Sequence, residues 1–314
     1  MREYTKHHYI PQCYLKNFSI DGKGIYVYNK KNSKSYCTSI ENIFFEKDFY
    51  SIDEELIPDY ATNSVRRESI EHDYFANQIE SQISRFLDII NSVSAKLMES
   101  KDILTAFPVE YTENIAFQIV IQYFRTPEAR KYVVELVNYI RSVVETLIDC
   151  NAIIDDIERE QLKFDLTKPG NEVLDHCCTC FKPQVIKSIV DMLQNNIWSI
   201  YFSVGDCFVT SDSPIIIERE IPTKNCDFLS LNLPSTNLTF PLTSRILVRI
   251  WDREYYKQLE PFNRIVRFVN DEFVRVENLR QYVWARNQVV SSVDYSDFYQ
   301  KLKNEKEDEV FYKH

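Results

Sequence analysis

The chain has 314 residues, of which 44% are hydrophobic, 27% are charged, and 37 basic residues stand against 47 acidic ones. This composition is typical of a soluble globular protein and excludes disordered, collagen-like and fibrous chains. A net charge of −10 argues against a protein that coats nucleic acid, although a local basic groove stays possible. With only four glycines, neither G-x-G-x-x-G nor G-x-x-x-x-G-K-[ST] occurs, which excludes a Rossmann site and a P-loop.

The first residues are charged and polar, with no apolar segment of the kind that directs secretion. No run of 18 apolar residues that could span a membrane occurs. We therefore expect a cytoplasmic protein with no membrane partner, whose eight cysteines are free thiols.

The first predicted zone, residues 1–66, is irregular apart from one β-hairpin. Its two strands are Gly24–Tyr28 and Ser35–Thr38. The polar stretch Asn29–Lys34 joins them as a turn.

The second zone, residues 67–195, is predicted to be helical. Apolar residues recur mostly at three- and four-residue steps from Ile70 to Leu97, which indicates one face of a single long α-helix. Prolines separate the helices that follow, and a break at Pro169–Gly170 precedes a last helix near 171–195. Such helices must pack together to bury their apolar faces, so we predict a helical bundle.

In residues 196–251 the pattern changes to short β-branched and aromatic runs between turns. No helix intervenes to make parallel crossovers, which favours a mostly antiparallel sheet. A helical pattern then returns from Ile265 to Val283. Since no repeat or linker divides the chain, we predict a single α+β domain over 1–314, with the sheet and C-terminal helices in 196–314.

Two adjacent histidines, His7 and His8, precede Pro11 near the N-terminus. An imidazole can act as a general base near neutral pH or ligate a metal. Neighbouring residues of an extended segment point to opposite sides, so only one of the two would usually face a site. The alternative is structural: Tyr14 and Phe18 anchor the chain end while the histidines donate hydrogen bonds.

An acidic turn, Thr210–Pro214, follows one of the predicted strands. Its Asp212 could orient a histidine or bind a divalent cation. Hydrogen bonds that the Asp212 side chain accepts from its own local backbone would explain the same residue without any function.

Arg125 ends a predicted helix just before a Thr-Pro pair. It could cap the bare carbonyls of the helix C-terminus or clamp a phosphate with its bidentate fork. Glu71 and Glu80 lie nine residues apart on the predicted long helix. Because nine residues are about two and a half α-helical turns, the two should face nearly opposite sides, and a shared carboxylate site is not expected.

The single C-x-x-C, Cys177–Cys180, lacks the second ligand pair that a structural zinc site needs, so buried thiols are favoured. No G-x-S-x-G and no H-E-x-x-H occur, which argues against an α/β-hydrolase and a zinc metalloprotease.

The opening segment His7–Phe18 resembles the H-H-Y-[VI]-P-x-x-Y-L-x-x-F signature of a bacterial family, domain-of-unknown-function family 4238. Gln122–Pro127 is similar to its Q-x-x-R-T-P element, and Phe208–Pro214 is similar to its central strand–turn motif. Phe240–Leu242 and Asn270 resemble later family positions, so the resemblance spans nearly the whole chain. It implies no defined activity, beyond a loose association of some members with defence against phage.

These motifs lead to one hypothesis, a hydrolase and most concretely a nuclease acting on RNA or DNA. His7 or His8 would be the general base or a metal ligand, and Asp212 would orient it or hold a divalent cation. The residues expected to hold the substrate are Gln122, Arg125, Thr210, Ser211 and Asn270. Two alternatives stay open, namely a non-catalytic sensor or interaction module and a protein that binds a nucleotide or another small anion.

Overall fold

The computed structural model shows an α+β fold, as the sequence predicts, with most helices in the first half of the chain and most strands in the second. The residues that the structure describes are 5–53, 55, 66–100, 106–149, 172–221 and 231–304. The break predicted at Pro169–Gly170 lies outside these ranges.

The N-terminal zone contains a short antiparallel strand pair and the predicted hairpin. Strand β1 (Lys6–His8) pairs with β4 (Phe45–Lys47), which places His8 opposite Phe45. Strands β2 (Gly24–Asn29) and β3 (Lys34–Ser39) form the hairpin, which confirms that prediction. Pro11 ends the first extended stretch, and the one-turn helix α1 (Gln12–Leu15) follows it directly.

The helical bundle predicted for residues 67–195 is confirmed. It begins with a π-helical segment, and five α-helices follow in the described part of this zone. The segments are a π-helix (Ile70–Glu80), α2 (Ser81–Ser100), α3 (Val109–Phe124), α4 (Pro127–Asp149), α5 (Glu172–Cys180) and α6 (Pro183–Gln194). Helix α3 packs against α6, and α4 packs against α5.

Two of the helix predictions are wrong in their extent. The single helix expected near 171–195 is two helices. Pro183 has no backbone N–H to donate, and it restricts Lys182 before it to an extended conformation. The single α-helix expected from Ile70 to Leu97 is π-helical up to Glu80. A π-helix bonds residue i to i+5 and has wider turns, so the α-helical spacing of faces does not apply there.

A five-stranded sheet packs against the helices, and its strand order is β10-β5-β9-β8-β7. All neighbouring pairs are antiparallel except β10 with β5, which confirms the prediction of a mostly antiparallel sheet. The strands are β5 (Ile197–Ser203), β7 (Ile216–Arg219), β8 (Thr236–Pro241), β9 (Ile246–Trp251) and β10 (Val266–Val269).

Strand β10 was predicted as the start of a helix, and that prediction is wrong for its four residues. They pair in parallel with the fully buried strand β5, and the helix α7 (Asp271–Trp284) begins only after Asn270. A short apolar run does not distinguish strand from helix by its period, and here pairing with a buried strand decides it.

A second, four-stranded antiparallel sheet joins the two ends of the chain. Its order is β3-β2-β11-β6, with β6 at Thr210–Ser211 and β11 at Gln288–Ser291, and the helix α8 (Ser296–Asn304) follows. The N-terminal hairpin therefore pairs directly with a C-terminal strand.

One large hydrophobic cluster runs through the helices and the five-stranded sheet, and it includes Tyr14, Phe18 and Trp198. None of the described helices is both long and apolar enough to cross a membrane.

Candidate functional site

The histidine-containing opening lies inside the protein, where three groups of motif residues meet. Tyr14 and Phe18, expected to anchor the chain end, are fully buried, and Tyr14 stacks on Phe240 with ring centroids 5.4 Å apart. The N-terminal segment is thus enclosed by the helical bundle on one side and by the sheets on the other.

His7 is fully buried and has contacts at both ring nitrogens. Its Nδ1 accepts the backbone N–H of Tyr50 at 2.8 Å, and its Nε2 lies 2.7 Å from a carboxylate oxygen of Glu68. Because Nδ1 is an acceptor, the neutral ring must carry its proton on Nε2, facing Glu68. Burial lowers the pKa of His7, although the Glu68 carboxylate opposes this effect. The neutral ring therefore has no free lone pair with which to accept a proton from a substrate.

His8 faces a different set of groups from His7, as expected for neighbours on an extended segment. Both of its ring nitrogens lie 3.4 Å from the amide nitrogen of Gln12, and its ring packs at a tilt on Phe45. Burial lowers the pKa of His8 as well. Its ring is mostly enclosed.

Arg125 is fully buried, and its guanidinium is held by two groups from earlier in the chain. Its Nη1 donates to Glu80 at 2.6 Å, and its Nη2 donates to the backbone carbonyl of His8. Although burial opposes it, Glu80 and the more distant Glu71 keep the pKa of Arg125 above its usual value. A phosphate could reach this guanidinium only by displacing carboxylates that already neutralise it.

Gln122, one helical turn before Arg125, holds the next carbonyl of the same segment. Its amide nitrogen donates to the backbone oxygen of Tyr9 at 3.3 Å, and the side chain is buried. Gln122 of α3 and Arg125, which follows the helix as its C-cap, thus bind two consecutive carbonyls of the opening segment, those of Tyr9 and His8.

Glu71 and Glu80, expected on opposite sides of an α-helix, both face Arg125. Glu71 lies 4.0 Å from its Nη2 and Glu80 lies 2.6 Å from its Nη1. The physical reason is the π-helix, in which nine residues make roughly two wide turns and return to the same face. Burial raises the pKa of Glu71 to about 7, and within the described residues its Oε2 has no hydrogen-bond partner.

Thr210 and Ser211 lie on strand β6 and make internal hydrogen bonds. The Thr210 hydroxyl lies 2.8 Å from the phenol oxygen of Tyr14, which also donates to the carbonyl of Pro241 at 2.7 Å. The Ser211 hydroxyl accepts the side-chain amide of Gln281 at 2.6 Å. Both residues are completely buried.

Asp212 holds a distant stretch of backbone rather than its own turn. One carboxylate oxygen accepts the N–H of Arg286 at 2.8 Å, and the other accepts those of Asn287 and Gln288 at 2.8 and 3.1 Å. Burial raises the pKa of Asp212, against the effect of these three N–H groups. The charge of Asp212 also acts on Tyr9 of the opening segment. Burial raises the pKa of Tyr9, and the negative charge of Asp212 raises it further.

Asn270 is not brought to the other predicted residues. Its side-chain oxygen accepts the N–H of Phe273 at 2.9 Å, which makes it the N-cap of α7. Its hydrogen bonds are those of a helix start.

Metal ligands do not cluster anywhere in the described ranges, where no group of three or more His, Cys, Asp or Glu could hold an ion. The cation predicted at Asp212 stays a prediction. The C-x-x-C thiols of Cys177 and Cys180 are free, and burial raises the pKa of each to about 12.

Sequence reasoning missed the partners of His7. Glu68 and the backbone of Tyr50 lie more than forty residues further along the chain, outside every motif. No periodicity or spacing connects them to the histidines, so only the fold could reveal the pairing.

The geometry describes an α+β protein in which short polar motifs from distant parts of the chain join in the interior. The chain belongs to the family described as "Protein of unknown function (DUF4238)", whose model matches residues 6–294. No curated protein and no solved structure shows a significant match to it.

Proposed function

We propose that this chain is a non-catalytic sensor or interaction module, in which the family motifs hold the fold instead of reacting with a substrate. The observation that carries the proposal is that the motif side chains use their polar groups on internal partners. His7, Arg125 and Asp212 are each at most 2% exposed and each binds protein groups on two or more sides.

A general base needs an accessible lone pair, and a cation ligand needs free carboxylate oxygens. At His7 the Nδ1 lone pair accepts the N–H of Tyr50, and at Asp212 three backbone N–H groups already bind the two carboxylate oxygens. The same contacts give the motifs a clear physical purpose, because unpaired buried polar groups are costly to a fold.

The variant Asp212→Asn tests the proposal with little change in volume. In this variant the side-chain NH₂ of the new asparagine replaces one carboxylate oxygen and faces backbone N–H groups of residues 286–288, which are donors as well. We therefore expect the free energy of unfolding to fall by about 1–3 kcal/mol. The matched control is Asp88→Asn, which changes an exposed aspartate of α2 and should leave stability within about 0.5 kcal/mol. Urea unfolding measures both.

The same proteins are then assayed against single- and double-stranded RNA and DNA with Mg²⁺ or Mn²⁺. We expect no cleavage by the wild type above a buffer blank. Cleavage by the wild type that Asp212→Asn or His8→Ala abolishes, with stability retained, would contradict the proposal and restore the nuclease hypothesis.

One observation favours the second candidate, a hydrolase and most concretely a nuclease. Burial raises the pKa of Glu71 to about 7, its Oε2 makes no hydrogen bond to a described residue, and its side chain is 14% exposed beside Arg125. A carboxyl group with this pKa can exchange protons near neutral pH. If the wild type cleaves nucleic acid, this candidate predicts a rate that changes near pH 7 and a Glu71→Gln variant without that change.

A further inference from the structure

An apolar cavity of about 290 Å³ lies between the helices α3, α4, α5 and α6. Buried side chains from three of these helices, Phe124, Val133 and Cys180, line its interior. Tyr132 and Leu136, each 38% exposed, lie at its mouth. Folded interiors leave few voids larger than a water molecule, so a cavity of this size is a built feature of the helical bundle.

Two helices line most of the cavity with the same spacing. On α4 the lining residues are Ala129, Tyr132, Val133 and Leu136. They follow the i, i+3, i+4, i+7 pattern of one helix face, and the lining positions 185, 188, 189 and 192 of α6 repeat it. Because α6 packs on α3 whereas α4 packs on α5, these two apolar faces do not close against each other, and the cavity remains between them.

A polar cavity of about 400 Å³ adjoins the apolar one. The two cavities share Ser188, Met192 and Asn232 in their linings. Asn195 and Asn196 line only the polar cavity. A molecule with one apolar end and one polar end would therefore fit across both.

The two carboxylates of the polar cavity already have partners. Asp191 pairs with Lys187 at 2.6 Å. Asp252 accepts the backbone N–H groups of Ser235 and Glu254 at 2.9 and 3.1 Å, one on each oxygen. Neither carboxylate therefore needs a ligand to satisfy it, although both repel an anion.

The groups with free hydrogen-bonding capacity in the polar cavity are uncharged. Asn195 and Asn232 are exposed, and their side-chain amides make no hydrogen bond to a described residue. An amide both donates and accepts, which suits a hydroxyl or amide group of a ligand. Among the described residues, no lysine or arginine lines either cavity.

We propose that the two adjoining cavities form a binding site for a small uncharged amphiphile. Its apolar group, of about ten non-hydrogen atoms at roughly 30 Å³ each, occupies the apolar cavity. Its hydroxyl or amide group lies between the amides of Asn195 and Asn232. Ligand pockets in general combine an apolar lining with a few polar groups in this way. In calling the amphiphile the signal of a sensor, this inference rests on the proposed function; the binding site itself does not.

Calorimetric titration with 2-naphthol tests the site. Its fused rings match the apolar cavity in size, and its phenolic hydroxyl is neutral near pH 7. We expect saturable binding of one molecule per chain. The comparison ligand is 2-naphthoate, which has the same rings and a carboxylate, and it should bind at least about tenfold more weakly because Asp191 and Asp252 repel it.

The methionine methyl groups give a signal from the site itself. Met192 lines both cavities, whereas Met98 lies on α2, 40% exposed and in neither lining. In NMR spectra of the protein labelled at its methionine methyls, 2-naphthol should shift the Met192 resonance through its ring current and leave that of Met98 in place. A shift of Met98 without one of Met192 would put the ligand elsewhere and overturn the proposal.

Two variants fill the site from different sides. Ala129→Leu places a larger side chain in the apolar cavity, and Ser188→Phe blocks the junction of the two cavities. Each should weaken 2-naphthol binding by at least about tenfold. Ser142→Phe makes the same substitution at an exposed serine of α4 that lines neither cavity, and it should keep the wild-type affinity. Since Ser188 is exposed, Ser188→Phe keeps the test decisive even if Ala129→Leu does not fold.

Absence of saturable 2-naphthol binding to the wild type, equal affinity for 2-naphthoate, or wild-type affinity in the folded cavity variants would overturn the proposal. Nucleic acid cleavage by the wild type would overturn the proposed function and leave this site standing, so the two failures are distinguishable.

Discussion

At the scale of single residues, the buried charged and polar groups differ in how many hydrogen-bond and ion-pair partners they have. His7, Arg125 and Asp212 each have close polar partners, although the Nε of Arg125 makes no hydrogen bond; the Oε2 of Glu71 makes none to a described residue either. Glu71 also lies further from Arg125 than Glu80 does, at 4.0 Å against 2.6 Å. Glu80 is therefore the closer partner of Arg125. The more distant Glu71 is the one whose pKa is raised.

Glu71 should make the protein less stable as the pH rises from about 4.5 to about 7. Its pKa is about 7 in the folded state against 4.5 in the unfolded state, so the folded state binds more protons between these values. Stability from this group is complete below about pH 4.5 and is lost as the pH rises to about 7, by up to about 3 kcal/mol. Glu71→Gln should remove this fall in urea unfolding measured from pH 5 to 8.

The matched control is Glu135→Gln, since Glu135 is an exposed glutamate of α4 whose side chain is 65% accessible. It should leave the pH dependence unchanged. An unchanged slope in Glu71→Gln would show that Glu71 ionises normally and would also remove the main support for the hydrolase candidate.

At the scale of elements, a single residue decides where β10 ends and α7 begins. Asn270 follows Val269 of the strand, has extended backbone angles, and caps the helix through Phe273. Capping chemistry therefore accounts for an asparagine at this position of the chain.

Asn270→Ala should destabilise the protein by about 1 kcal/mol, because the first turn of α7 loses the acceptor for a backbone N–H. Chemical denaturation measures the loss. The control is Asn114→Ala, a partly exposed residue inside α3 whose side chain donates to the carbonyl of Glu110; alanine is the better helix former there, and no loss is expected. Equal stability of Asn270→Ala and the wild type would leave the capping role without support.

The elements also show which features the sequence could predict. Turn residues, prolines and the change from a helical period to short β-branched and aromatic runs located the hairpin, the bundle and the main sheet. The π-helix could not be predicted from local spacing. In it, Glu71 and Glu80 both reach Arg125, a residue from another part of the chain that the local sequence does not show. Strand β10 was missed because pairing with β5, not its own period, determines it.

For the candidate site, the sequence located the motifs but not what they touch. The spacing of His7 and His8 predicted that they face different groups, which the contacts bear out. The structural alternative for Asp212 was hydrogen bonding within its own turn, yet its carboxylate accepts the N–H groups of residues 286–288, more than seventy positions away. Long-range pairing of this kind leaves no periodic signal in the chain.

At the scale of the whole molecule, the opening segment connects the two halves of the fold. Gln122 and Arg125 of the helical bundle bind its carbonyls, and Tyr14 of the same segment bonds Thr210 of one sheet and Pro241 of the other. The hairpin that follows pairs with the C-terminal strand β11. The central claim is therefore that the family motifs form an internal tie between bundle and sheets.

The most direct test of this claim is the unfolding free energy of Tyr14→Phe, which removes one oxygen atom from the tie and little else. We predict a loss of about 1–3 kcal/mol, because the carbonyl of Pro241 and the Thr210 hydroxyl lose a buried partner. Tyr36→Phe, which changes an exposed tyrosine that accepts only the amide of Gln288 among its described contacts, is the control. In Tyr14→Phe, the urea midpoints measured by helical circular dichroism and by tryptophan fluorescence should move to lower urea by the same amount. An unfolding free energy equal to that of the wild type would contradict the claim.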